Sequence, residues 1–343
     1  MYCMIQNRCD EVGHMSLSAV YTETGDPADV VKLIDVDEPG DPGPGQVLVR
    51  VTLFPIHWGD LQTIQLASPT GRVGAGVEAT GVVERVGSDV HHLKPGARVS
   101  VFPQPGAWAE RITADAQFVV PGPDAVSDGV AAQMLVNPLT VLMLRREAEK
   151  HFATGYDGVV LNNAAGGAVG RLVTATLSNH HIATISLVRR AETAQHLRDR
   201  FPAVPVVVTE DPDWLDAARD LIGGRTVGAA LDPIGGALSA DLLSLLSPGG
   251  TVVVYGRMAD EPIPVHATAL LDRGLTLSGA TIGRWVATAS PEQRASDTNT
   301  ACLMAQALSS QFDVAAIYPI AELSGAIRHA TKPGKTGTVL VRP

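Results

Sequence analysis

Cysteine is nearly absent from these 343 residues, with Cys3, Cys9 and Cys302 the three present. Three thiols cannot fill a four-thiolate zinc site. An odd count with two at the extreme N-terminus also argues against a disulfide framework, so a reducing, cytoplasmic setting is expected. Lysine is scarce as well, 5 against 21 arginines, and acids outnumber bases to give a formal charge of −10. That excess repels phosphate backbones and anionic lipid heads, and no basic run interleaved with aromatics offsets it; a nucleic-acid partner is not expected. Long apolar runs are missing too: Asp, Glu, Arg, Asn or His breaks every stretch before the roughly 18 residues a membrane-spanning helix requires. What is present is 45% hydrophobic and 18% charged, with a mean hydropathy of +0.13, which excludes disorder as the main state. The length exceeds a comfortable single core and predicts two domains.

Residues 1–14 (MYCMIQNRCDEVGH) have neither the apolar centre of a signal peptide nor the arginine-rich, acid-poor character of a transit peptide. They are expected to be a disordered leader, with Met15 opening the folded part. From Ser18 to about Gln133 the chain shows short β-rich runs divided by turn chemistry: SAVYTETG, the loop Pro39 to Gly45, QVLVRVTLF, GVEATGVVERVG, KPGARVSVF and QFVVPG. After Asn137-Pro138 the texture changes to strands alternating with helical stretches, through GVVLNN, IATISLVR, VPVVVTE, GAALDPI and GGTVVVYG. Regular alternation predicts a parallel sheet with crossover helices. A helix over about Pro291 to Gln311 and a closing strand of the first type, TGTVLVRP, follow. The expected architecture is therefore α/β, a doubly wound parallel sheet inserted into a mostly β unit. The expected boundaries are 15–136 and 288–343 for the β unit and 137–287 for the nucleotide-binding unit.

The strongest chemical signal runs from Val159 to Val173, VVLNNAAGGAVGRLV. An apolar strand enters a small-residue turn that opens an amphipathic helix. Read as a dinucleotide fingerprint, Ala165 takes the first glycine position, Gly167 lets the backbone approach a pyrophosphate, and Gly170 permits close packing of helix on strand. Gly166, Ala168 and Val169 complete the turn, and the helix N-terminus offers unpaired N–H groups to phosphate. The next strand, Ala183 to Val188, ends in Arg189-Arg190 with no acid. An NAD site wants a carboxylate there for the ribose 2′-OH, whereas positive charge suits a 2′-phosphate. NADPH is thus the expected cofactor, with Arg189, Arg190 and Ser186 around the phosphate.

With these residues the chain resembles the medium-chain dehydrogenase/reductase superfamily over Ser18 to Pro343, through Gly25 to Leu33, Val86 to Val99, Asn137-Pro138-Leu139-Thr140 and the glycine turn. Within it the chain is similar to the NADPH-dependent 2-enoyl thioester reductases of mitochondrial type, through Asn163-Ala164-Ala165, Thr184 to Arg189, Tyr255-Gly256-Arg257-Met258 and Trp285 followed by Ser290-Pro291. The resemblance implies a Rossmann sheet inserted in a GroES-like catalytic domain. Zinc-dependent members place a Cys near the Asp60 segment and a His in a Gly-His-Glu run. Here those stretches read His57-Trp58-Gly59-Asp60 and Gly76-Val77-Glu78, so no metal is expected.

The resemblance also implies that Asn137 and Thr140 border the nicotinamide, that Tyr255 and Gly256 lie on the cofactor side of the cleft, and that Trp58 and Trp285 wall an apolar substrate pocket. The Tyr that in the enoyl reductases hydrogen-bonds the thioester oxygen is replaced by Ser68. Tyr21 and Tyr156 are the nearest tyrosines on either side. The final proton is then expected from solvent or from a water held by Ser68 or His57. Two further readings stay open: quinone reduction, which needs no strong protein acid, and NADPH binding without turnover. The resemblance also implies a homodimer paired across a two-fold axis through Gly274 to Gly279, which would cover an adhesive sheet edge.

Overall fold

The computed structural model describes residues 15–151 and 158–343; the 1–14 leader and Tyr156 lie outside the described residues. Strands early in the chain form antiparallel sheets. The strand Gln46–Pro55 is the hub, pairing with Ala79–Val86 on one side and with Arg111–Asp115 and Thr338–Arg342 on the other. Its inward side chains Val47, Val49, Val51 and Phe54 meet Ala79, Val99, Trp108 and Ile112 in one apolar core. Val314–Pro319 lies parallel to Thr338–Arg342, so the end of the chain returns to the sheet built on Gln46–Pro55. Met15–Tyr21 belongs to a separate three-stranded sheet with Lys32–Asp37 and Val73–Gly74.

Between these parts runs the helix Val136–Glu149, followed by six strands that are all parallel. Across the sheet they lie as Val206–Val208, Ala183–Val188, Gly158–Asn162, Thr226–Asp232, Thr251–Val254 and Thr276–Gly279. In chain order that is 3-2-1-4-5-6, so strand direction of travel reverses between Gly158–Asn162 and Thr226–Asp232, the place where doubly wound sheets open a crevice for ligands. Gly158–Asn162 is buried along its whole length, as a central parallel strand covered on both faces must be. The α/β unit is therefore inserted in the mostly β unit, as the alternation of textures predicts. The long helix Pro291–Ala307 then packs against Val136–Glu149 through the ion pair of Arg146 with Asp297. Among the described residues no helix is long and apolar enough to cross a membrane.

Candidate active site

The glycine turn leaves the central strand at the crevice. Ala164 takes a left-handed backbone (φ 51°) that a residue other than glycine rarely adopts, and Asn163 compensates by accepting the Ala164 N–H on its own Oδ1 at 2.8 Å. Gly170 has no alternative: a Cβ there would lie 2.5 Å from the Ala164 carbonyl oxygen. Gly167 caps the helix Ala168–Asn179, whose first-turn N–H groups at Ala168, Val169 and Gly170 have no intrahelical acceptor and face the turn. Arg171 braces the same turn from behind, donating from Nη1 to the Gly166 carbonyl at 2.7 Å. Ala165 is buried and donates its N–H to Leu187.

Across the crevice, Asp232 ends its strand buried and accepts from Asn163 Nδ2 at 2.8 Å, from the backbone of Ile234 and Gly235, and from Ser239 Oγ. Its own carbonyl accepts from Tyr255 N, which brings Tyr255-Gly256 to the crevice mouth. A Cβ at Gly256 would sit 2.6 Å from the Pro233 oxygen. Burial, with the Asp232 charge adding, pushes the Tyr255 phenol well above its ordinary range, so it stays neutral. Asp232 is a residue that sequence reasoning missed, although an acid closing the apolar run GAALD was its signal.

At the strand end Arg189 is 58% exposed beside Glu210, with Nε 3.4 Å from the carboxylate. Arg190 opens the helix Ala191–Arg200 and its guanidinium lies against Gly334. Ser186 does not share their setting. It is buried, its hydroxyl 3.3 Å from Thr174 Oγ1, which is in turn bonded to Asn162 Nδ2. The small polar residue expected near a phosphate instead ties strand to helix behind the turn.

The opposite wall carries the helix Trp58–Leu66. Gln62 donates to the Arg257 carbonyl, which sets this helix beside Tyr255-Gly256. His57 precedes the helix, and its backbone N–H donates to Asp60 at 3.1 Å. Ser68 lies past the other end, exposed, and the nine-residue helix keeps the two roughly 13 Å apart. No single water can serve both. The imidazole Nε2 of His57 is 2.6 Å from Glu78 Oε2, both groups buried. Burial alone lowers the His57 pKa, but the hydrogen bond and charge of Glu78, with Asp60 adding, outweigh it and the net shift is upward. Burial raises the Asp60 carboxyl to about 6.

Asn137 and Thr140 sit buried on the first turns of Val136–Glu149, with Thr140 Oγ1 donating to the Val136 carbonyl at 2.8 Å. Trp58 is half-buried against the first core, and its indole N–H, itself buried, has no partner among the described residues. Trp285 is elsewhere: stacked on Phe102 at 6.4 Å, donating to Asp297 at 2.8 Å, it lines an approximately 540 Å³ groove with Phe118, Val286 and Cys302. The two tryptophans therefore do not face one pocket. Among the described residues no cluster of three or more His, Cys, Asp and Glu could hold a metal. His57 is committed to Glu78 and Val77 has no donor atom, so the residues present do not fit zinc.

Residues 43–124 match the alcohol dehydrogenase GroES-like domain model and residues 168–297 the zinc-binding dehydrogenase model. The mouse mitochondrial enoyl-[acyl-carrier-protein] reductase is 32% identical over 80% of this chain and 74% of its own length. Among solved structures, a mycobacterial protein complexed with NADPH superimposes with a TM-score of 0.82 at 26% identity, over 95% of this chain and all of the other. A quinone oxidoreductase of Pseudomonas syringae gives 0.81 at 25%, over 96% and 100%.

Proposed function

The chain belongs to the medium-chain dehydrogenase/reductase superfamily, in its enoyl reductase and quinone reductase branches, and from that premise we propose that it is an NADPH-dependent reductase of activated C=C bonds, taking a trans-2-enoyl thioester or an enone. The observation that carries the reading is the glycine cradle at the sheet's switch point, where Gly170 admits no side chain and Asn163 and Asp232 lock the turn. The cradle fits a dinucleotide: Ala165 to Gly170 with the helix N-terminus would hold the pyrophosphate, and Arg189 and Arg190 the 2′-phosphate. Ser186 has no part in that contact. Asn137, Thr140, Tyr255 and Gly256 would border the nicotinamide, and its chemistry is delivery of a hydride to the acceptor's β-carbon. Residues 137–287 make the cofactor unit in this reading, with 15–136 and 288–343 the catalytic unit, in a cytoplasmic homodimer.

The chain's own residues must then stabilise an oxyanion and supply one proton. Ser68 is exposed, and an aliphatic hydroxyl can donate a hydrogen bond to an oxyanion but is too weak an acid to give up its proton; His57 lies buried at the other end of the helix. The absent phenol favours a second reading, quinone reduction, because a quinone's product oxyanion needs no strong protein acid. NADPH binding without turnover is the third. Absorbance of NADPH followed with a short enoyl thioester and with a quinone separates them: oxidation by the thioester supports the first, by the quinone alone the second, by neither, with binding retained, the third.

A further inference from the structure

Glu78 is 0% exposed and has no role in the reading above. Isolated in a protein interior its charge would cost several kcal/mol. Both of its oxygens are answered. Oε1 accepts the N–H groups of Leu135 at 2.8 Å and Val136 at 3.3 Å, at the positive end of the helix that carries Asn137 and Thr140. Oε2 accepts from His57 Nε2 at 2.6 Å. The loop bearing Glu78 is itself fixed: Gly76 has a φ of 80°, a Cβ there would enter the Trp108 ring at 2.0 Å, and the Trp108 indole donates to the carbonyl of Pro55, two residues before His57. The charged groups acting on His57 are Glu78, Asp60 on its own helix, and Lys335, which precedes the last strand and opposes them.

We propose that Glu78 is a positioning residue for the reduction, holding His57 so that this buried pair, at the opposite end of the helix from Ser68, supplies the proton that the family's phenol would otherwise assist. The proposal rests on the reductase reading above. Hydride addition at the β-carbon moves the C=C electron pair onto the α-carbon and carbonyl oxygen, and the resulting enolate takes one proton at the α-carbon. His57 imidazolium gives that proton and becomes neutral imidazole, Glu78 remains a carboxylate throughout, and solvent restores the proton afterwards. The net change is one hydride and one proton added across the double bond, with the cofactor oxidised by two electrons.

The test joins a histidine NMR titration of the NADPH-bound protein, with His57→Asn identifying the signal, to the pH profile of kcat in wild type and Glu78→Gln. Wild-type His57 is expected to titrate above 6.5 and to fall by about one unit or more in Glu78→Gln. In the same variant kcat should drop by about 10²-fold, its basic limb moving to lower pH, while KM for NADPH holds and Glu78→Asp restores part of the rate. A wild-type His57 titrating at or below 6.5, or a kcat profile unmoved in Glu78→Gln, overturns the proposal. If Glu78→Gln does not fold, the pH profile of kcat in His57→Asn decides, a rate and basic limb unchanged from wild type overturning the proposal. The titration needs no acceptor, so failure of the reductase reading, seen as no turnover with either acceptor, is distinguishable from failure of the dyad.

Discussion

Single side chains divide here into those whose chemistry is set by local sequence and those set by what folds onto them. Arg189 and Arg190 are read from the end of a recognisable strand, where Arg189 stands exposed and Arg190 half-buried. Arg189→Ala is expected to cut the preference for NADPH over NADH by about 10-fold or more, the scale of one hydrogen bond to a charged group, read as the ratio of kcat/KM values. An unchanged ratio would remove Arg189 from the phosphate. Ser186 was misplaced because strand position alone does not say which face a side chain takes, and the facing Thr174 comes from a helix twelve residues earlier. Asp60 shows the same dependence on tertiary burial. Folded, it binds its proton more tightly than its ordinary value of 3.8, up to about 6, so the stability this proton carries is full below 3.8 and is lost as pH rises to about 6. Asp60→Asn keeps an acceptor for the His57 N–H and should flatten thermal stability across that window. A melting profile with the wild-type slope would contradict the assignment.

Elements were read well where they carry a periodic or turn signature and poorly where they do not. The six parallel strands and the glycine turn followed from apolar runs ending in small residues. Gly170→Ala is expected to destabilise the protein by about 1–3 kcal/mol and to abolish NADPH retention, because backbone rather than a flexible side chain occupies the Cβ position. Denaturant titration and cofactor binding check it, and a variant with wild-type stability would refute the close approach. The helix Trp58–Leu66 has no such signature, whereas Leu323–Thr331 does, with Leu323, Ala326 and Ile327 on its buried face, in a stretch too short to stand out beside the closing strand. The distance between His57 and Ser68 followed only once the first of these was seen. Asp297 was equally hidden, since its partners Arg146 and Trp285 are remote or carry no charge. Asp297→Ala leaves the buried indole N–H without an acceptor and should cost about 1–3 kcal/mol in denaturant titration, and wild-type stability would contradict the contact.

At the scale of the whole molecule, the insertion of one unit in another was legible from the switch in texture near Asn137 and back again at the final strand. Assembly was less so. The strand Thr276–Gly279 is an uncovered sheet edge with Leu277 38% exposed, the arrangement that a two-fold partner would bury. Leu277→Glu should convert the proposed dimer to monomer in sedimentation at micromolar protein, and a wild-type monomer under those conditions would end the dimer proposal. The central claim, hydride delivery to an activated C=C, is tested most directly by NADPH absorbance with a short trans-2-enoyl thioester and an aromatic quinone at matched concentrations. The account predicts oxidation of NADPH by the thioester, one saturated product formed per cofactor consumed. Oxidation by the quinone alone, or by neither acceptor while NADPH stays bound, would contradict it.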